Sequence, residues 1–260
     1  MSAEGIPTPL SDTLLRASTV NRLLLASDYD GCIAPIVSRP QDAVGLPESI
    51  EALRAAARLD RTTVAVVSGR ALSDLAALSG LADDPITLVG SHGSEFDTGF
   101  GQPVTAEQQQ LLARIIDEFE SIATEFDGVT VEVKPVSTTL HVRNASPADA
   151  ATALDRARLG PARWDGVEAT EGKAVIELAV IETSKGLALD LLRDRTGADV
   201  VIYLGDDVTD EKAFAHLRHD HDISIKVGPG DTAAQYRVGD PADVAAVLEF
   251  VAAHRREALG

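Results

Sequence analysis

Asp28 and Asp30 stand one residue apart at the end of an apolar run, Leu23-Leu24-Leu25-Ala26-Ser27, with Gly31 immediately after them. Three leucines in succession suit a strand buried on both faces, as in a parallel sheet. A glycine lets the backbone turn sharply where such a strand ends. Ligands of open α/β sheets gather at the carboxyl ends of strands, which is where these two carboxylates would lie. Placed side by side they repel each other unless a cation or a proton intervenes. The same letters also suit a plain polar turn, since Asp and Gly are ordinary turn formers.

Later segments supply partners in equivalent positions. Val64–Val67 is an apolar, β-branched run ending in Ser68-Gly69-Arg70, with a helical pattern from Ala71 to Leu78 behind it. A hydroxyl and free N–H groups at a helix start make a phosphate cradle, although a simple strand-to-helix turn reads the same way. Thr183-Ser184-Lys185-Gly186 opens the helical segment around Leu187–Leu192, with Ser184 or Thr183 as N-cap. A lysine in a first helical turn opposes the macrodipole and is out of place there unless an anion needs it; a solvated surface lysine is the alternative. Val200-Val201-Ile202-Tyr203-Leu204 then empties into Gly205-Asp206-Asp207-Val208-Thr209-Asp210-Glu211. An acidic N-cap for a helix near Thr209 accounts for Asp210 or Glu211 but leaves Asp206 and Asp207 unexplained. Oxygen-only clusters suit a hard cation, and magnesium takes one or two carboxylates plus substrate phosphate. A nucleophile, an acid/base, a phosphate clamp and a metal site together make a phosphoryl-transfer kit.

In this order, Asp28-Tyr29-Asp30-Gly31, Val67-Ser68-Gly69-Arg70, the Lys185 motif and Gly205–Glu211 resemble the four motifs of the haloacid-dehalogenase phosphatase superfamily. With Ala34-Pro35-Ile36 and Gly90-Ser91-His92-Gly93-Ser94-Glu95 added, the chain is similar to trehalose-6-phosphate phosphatases from about Leu23 to Val227. The resemblance implies an α/β fold: a Rossmann-like core with a mostly parallel sheet, and an inserted α+β cap of the C2B type. It implies Asp28 as a nucleophile forming an aspartyl-phosphate, and Asp30 as the acid that protonates the leaving sugar oxygen and then activates water. Ser68, Gly69 and Lys185 would hold the phosphoryl oxygens. The Asp28 carboxylate, the Asp30 carbonyl and Asp206 would bind Mg2+, with Asp207 and Asp210 close behind them. The family usually has threonine where this chain has Cys32, a weaker hydrogen-bond donor.

Composition narrows the setting. The chain has 260 residues, 45% hydrophobic, with one cysteine, so neither an intramolecular disulfide nor a cysteine-rich zinc site is available. The one thiol, Cys32, is open to oxidation if exposed. A net charge of −18 argues against nucleic acid or an anionic membrane as a partner. The same charge repels a sugar phosphate, so the metal, Lys185 and Arg70 must create a local positive spot. Met1–Leu10 lacks the pattern of a signal peptide, and no apolar run approaches membrane length, so a cytoplasmic enzyme is expected. The resemblance implies a small-molecule sugar phosphate as its substrate, and a monomer is expected.

Pro47–Leu59 reads as a helix with proline in its first turn, and Ile86–Val89 as a strand. Gly99, Gly101 and Pro103 mark a boundary. Between it and Thr183 the pattern is helix (Thr105–Phe126), strands (Val129–Val133, Thr138–Val142), helix (from Ser146-Pro147 to Leu159) and strands (Val167–Thr170, Ala174–Val180). That αββαββ order is a complete α+β layer. The expected division is therefore a core of residues 1–101 and 182–260 and a cap of 102–181, with a closing helix, Pro241–Arg255, capped by Asp240. By the family resemblance, substrate choice resides in Lys134, His141, Lys173 and Glu177 of the cap, with Glu95 from the core; Arg70 is expected as a further substrate contact. His92, a metal ligand in principle, is expected in a loop or facing the substrate. A solvated sheet face remains the plain reading of the cap residues. A sugar phosphomutase, a sibling sugar phosphatase, or a non-catalytic regulatory module are the competing functions.

Overall fold

Successive side chains of the first strand enter two different cores, which is why its apolar run is unbroken. Leu23 and Leu25 join one buried cluster, while Leu24 and Ala26 join another on the opposite face. A computed structural model describes residues 6–96, 99–100, 104–181 and 184–260. The chain divides into two units, Met1–Gly99 with Ser184–Gly260, and Phe100–Thr183. Gly101, Pro103 and Thr183, which bear on the expected boundaries, lie outside the described residues.

The first part of the chain carries α1 (Thr8–Ala17), β1 (Leu23–Ser27), α2 (Pro47–Ala57), β2 (Thr62–Val67), α3 (Leu72–Ser79), β3 (Thr87–Gly90) and the short β4 (Glu95–Phe96) and β5 (Gly99–Phe100). The second unit carries α4 (Ala106–Glu125), β6 (Thr130–Val133), β7 (Ser137–His141), α5 (Pro147–Leu159), β8 (Glu168–Gly172) and β9 (Val175–Ala179). The chain then returns through α6 (Lys185–Thr196), β10 (Val200–Gly205), α7 (Val208–His216), β11 (Ile223–Val227), β12 (Tyr236–Val238) and α8 (Pro241–Leu259).

The large sheet runs β12-β11-β10-β1-β2-β3-β4-β5. It is parallel from β12 through β3, and β4 is antiparallel to β3. Parallel strands need crossovers, and helices between them cover both faces, so each central strand is apolar throughout. This is the mostly parallel α/β core that the sequence implied. The expected helix ends hold within a few residues: Pro47 opens α2, and Asp240 caps α8 by accepting from the N–H groups of Ala242 (2.8 Å) and Asp243 (3.2 Å).

Helix α1 and strands β11 and β12 were not expected. The repeat Leu10, Leu14, Ala17 that α1 buries is short and follows two prolines, so little of it stands out in the sequence. In β11 a serine and a lysine interrupt the apolar pattern, yet all five of its positions are buried.

The second unit has a four-stranded antiparallel sheet in the order β6-β7-β9-β8. Leu140, Ile176 and Leu178 pack with Leu112, Ile115, Phe119 and Ile122 of α4 and with Ala153 and Ala157 of α5. Strand alternation turns Thr139 and Glu177, paired across β7 and β9, to the other face. The expected αββαββ order is therefore present here.

Candidate active site

The parallel register delivers the motifs to one edge of the core sheet. Ser27 pairs with Leu204 on one side and with Val66 on the other. Residues just beyond these positions, Asp28, Asp206 and Ser68, therefore leave the sheet at its carboxyl edge together. Lys185 arrives as the first residue of α6, behind Ser184, whose hydroxyl accepts the Leu187 N–H at 3.4 Å.

Four acids and one lysine converge there. The Lys185 ammonium donates to Asp28 Oδ2 at 2.7 Å and to Asp210 Oδ1 at 2.9 Å, and its side chain is 2% exposed. It is not a solvated surface lysine. Asp28 Oδ1 also accepts from the Tyr29 N–H at 2.6 Å. Asp210 is fully buried: its Oδ1 accepts from the Tyr203 hydroxyl at 2.6 Å, and its Oδ2 from the N–H groups of Asp206 (2.9 Å) and Asp207 (3.0 Å). Asp207 is the N-cap of α7, accepting from the N–H groups of Thr209 and Asp210 in a reciprocal capping box. This corrects the sequence reading, which left Asp207 without a capping role. The helix begins one residue earlier than the sequence suggested, at Val208.

Gly31 shows how close the first and last motifs come. Its φ is +78°, and a Cβ there would lie 2.1 Å from Asp206 Oδ2, so both the backbone conformation and the space demand glycine. Gly93, with φ of +103°, is likewise tight: a Cβ would meet the Ser184 carbonyl at 2.5 Å, which seats the Gly90–Glu95 loop against the lysine motif.

The charges do not balance locally. Burial pushes the Asp28 carboxyl well above its usual range, Lys185 pulls against this, and the charges of Asp210, Asp206 and Asp207 add to the rise. Burial works against the Lys185 charge, yet Asp210, Asp28 and Asp207 hold its proton more firmly than usual. Burial, with the charges of Asp210 and Asp207, raises Asp206 to about 7. Partial desolvation also works to raise Asp207, an exposed residue, but Lys185 and the bonds from Thr209 keep it below the ordinary carboxylate value.

Asp28, Asp206 and Asp210 each bring one carboxylate oxygen within 4.8 Å of the others. An all-oxygen set carrying more negative charge than its neighbours cancel fits a hard divalent cation. Cys32, beside this cluster, is 0% exposed, and burial and the charge of Asp28 hold its thiol well above the usual value. The sequence allowed for oxidation of an exposed thiol; burial removes that condition.

The second motif forms a tight loop. Ser68 is buried, and its hydroxyl accepts the Arg70 N–H at 3.2 Å. The Arg70 guanidinium grips both oxygens of Asp30, each at 2.6 Å, and also donates to the Pro40 carbonyl at 2.8 Å. The ring of His92 lies against Gly69, where a Cβ would come within 2.4 Å of Cε1. His92 itself takes a left-handed φ of 53°, next to Ser91 at 48°. Adjacent left-handed residues other than glycine mark a backbone held by its surroundings. Here the Ser91 and His92 N–H groups donate to the carbonyls of Arg70 and Ser68. Glu95 Oε2 accepts from the Leu72 N–H (2.9 Å) and the Ser91 hydroxyl (3.2 Å), so this oxygen braces the start of α3.

In the second unit, Glu177 accepts from Lys134 Nζ (2.8 Å), Ser137 Oγ (2.8 Å) and Thr139 Oγ1 (3.2 Å). His141 joins through Glu132, at 2.8 Å from Nε2. Three of the four cap residues expected to meet a sugar therefore lie on one polar sheet face. Lys173 is exposed in the turn between β8 and β9 instead. The sequence reading passed over Tyr203, Ser137 and Thr139. Tyr203 had a signal, an aromatic hydroxyl in an otherwise aliphatic strand. Ser137 and Thr139 had none, because short polar residues are common on half-exposed strands.

Residues 26–242 match the trehalose-phosphatase family model. The chain is 34% identical over 236 residues to a bifunctional trehalose-6-phosphate synthase/phosphatase of Thermoproteus tenax, a match covering 88% of this chain and 32% of that protein. It thus spans about a third of that relative's length. It is 30% identical over 228 residues to the trehalose-6-phosphate phosphatase of Escherichia coli K12, covering 86% of this chain and 84% of the relative. Its fold matches the C-terminal domain of a C. albicans trehalose-6-phosphate phosphatase with a TM-score of 0.78 at 22% identity, over 94% of this chain and 96% of the other. With its motifs gathered at one sheet edge and the family model spanning most of its length, the chain belongs to the trehalose-phosphatase family.

Proposed function

We propose that this protein is a Mg2+-dependent phosphatase that hydrolyses trehalose 6-phosphate to trehalose and phosphate in the cytoplasm. The observation that carries the reading is the contact of Lys185 with Asp28 beside Asp206 and Asp210. It supplies a nucleophile, a fixed cation and a further cation site at one strand edge. Family membership supports the sugar.

In the first step an Asp28 carboxylate oxygen bonds to phosphorus, the bond from phosphorus to the sugar oxygen breaks, and Asp30 delivers a proton to that oxygen. Both Asp30 oxygens now accept from Arg70, so delivery requires one of them to be released from the guanidinium. In the second step Asp30 takes a proton from water as the water oxygen bonds to phosphorus, freeing Asp28 and phosphate. Lys185 and the Ser68 hydroxyl hold the phosphoryl oxygens. Asp28 and Asp206, with the Asp30 carbonyl, would hold Mg2+, which supplies positive charge against the phosphoryl group. The unit Phe100–Thr183 serves as the cap, with Lys134, Glu177 and His141 as its sugar contacts.

The test is phosphate release from trehalose 6-phosphate, sucrose 6-phosphate, glucose 6-phosphate and mannose 1-phosphate, with Mg2+ and with chelator. The expected result is Mg2+-dependent release from the trehalose ester alone, and none from the Asp28→Asn protein. Release from another ester keeps the core chemistry and discards the cap assignment. Full activity of Asp28→Asn discards the nucleophile.

A further inference from the structure

Lys226 is a charged residue on a strand with every position buried, and no step above uses it. Its side chain is 6% exposed. Burying an ammonium is unfavourable unless good partners meet it, so those partners show what the side chain does. In the sheet Lys226 pairs with Gly205, the last residue of β10, and its stem runs beside the chain as it leaves that strand. Its Nζ donates to the main-chain carbonyl of Asp206 and lies 3.4 Å from Glu211 Oε1. The other oxygen of Glu211 accepts from the Ala233 N–H (2.8 Å) and the Thr232 hydroxyl (3.2 Å).

The backbone of Asp206 is therefore gripped on both sides. Its N–H is held by Asp210 Oδ2 at 2.9 Å, and its carbonyl by Lys226. With both peptide groups fixed, φ and ψ are fixed, and the carboxylate is aimed over Gly31 towards Asp28 and Asp210. We propose that Lys226 is a positioning residue: by holding the Asp206 carbonyl, it sets how tightly the site takes a divalent cation. The proposal rests on the reading of Asp28 and Asp206 as cation ligands.

The experiment uses the full chain freed of metal by chelator, titrated with Mn2+ by calorimetry and by the spin-resonance signal of free Mn2+. Lys226→Met is expected to weaken Mn2+ binding about 10-fold to 100-fold, the usual effect of losing a group that orients a ligand. In turnover, the Mn2+ concentration for half-maximal rate should rise by a similar factor, while the rate at saturating Mn2+ falls much less. A structural role alone would lower the metal-free melting temperature and leave the binding constant unmoved. Wild-type Mn2+ affinity in a folded Lys226→Met protein overturns the proposal. Should that variant not fold, Glu211→Gln gives the same readout through loss of the carboxylate that steadies the ammonium, and unchanged affinity there overturns it equally. Asp206→Asn separates the two readings: Mn2+ binding that survives this change overturns the ligand assignment itself, and the proposal with it.

Discussion

Asp206 concentrates the electrostatics of the site in one residue. Its carboxyl is raised from the ordinary 3.8 to about 7 by burial and by the charges of Asp210 and Asp207. Between those two values the folded, metal-free chain holds a proton that the unfolded chain releases. Unfolding free energy falls with pH wherever the native state binds more protons, so this group stabilises the fold at low pH and loses that contribution as pH rises towards 7. Melting temperatures in chelator across this range should decline with rising pH more steeply for the wild type than for Asp206→Asn. Parallel curves would show that Asp206 does not titrate there. A bound cation needs the ionised carboxylate, so added Mg2+ should flatten or reverse the slope.

At the scale of elements, the second unit shows how one sheet serves two purposes. One face of β7 and β9 buries Leu140, Ile176 and Leu178 against helices, and the other gathers Glu177, Lys134, Ser137 and Thr139. The Lys134–Glu177 pair has side chains only 5% and 10% exposed. Removing one member of such a pair is far more costly than removing both. Glu177→Ala should therefore destabilise the protein by about 3 kcal/mol, and Lys134→Met with Glu177→Leu by less. Urea unfolding of the single and double variants would check this, and equal losses would mean that the pair is not coupled. If this face grips the sugar, both changes should also raise KM for the preferred ester more than they lower kcat.

At the scale of the whole molecule, Arg255 joins the two ends of the core. Although 1% exposed, it meets carbonyls and a hydroxyl in place of a carboxylate: those of Ser18, Asn21 and Arg61 at 3.0 to 3.1 Å, the Val20 carbonyl, and Thr62 Oγ1 at 3.1 Å. The last helix is thereby fastened to the segments entering β1 and β2, at the edge opposite the site. Bonds from a charged donor are each worth about 1.5–3 kcal/mol, so Arg255→Met should cost roughly 3 kcal/mol or more. Because the cluster at Asp28 is built at the other edge, Mn2+ affinity of the folded variant should stay within about twofold. Among the described residues no helix is long and apolar enough to cross a membrane.

Much of the core site was legible because its motifs are local. An apolar run followed by polar residues and glycine specifies a buried strand, its end and a sharp turn within a few residues, and an unbroken apolar run suits a strand of a parallel sheet. The order of elements in Phe100–Thr183 was legible for the same reason, since period and turn residues are short-range signals. What the sequence could not show was partner choice, which depends on register between segments far apart in the chain. Only the paired strands β1 and β10 decide that Asp206 sits over Gly31, and only the folded loops turn Arg70 onto Asp30 and Glu95 onto Leu72. Lys226 is the clearest case. In the sequence it is a lysine interrupting an apolar run, and tertiary structure makes it the holder of the Asp206 carbonyl. Chemistry-bearing residue types and the strands that end in them are written locally, whereas a side chain's role is set by what the fold places within hydrogen-bond reach and how much water it removes.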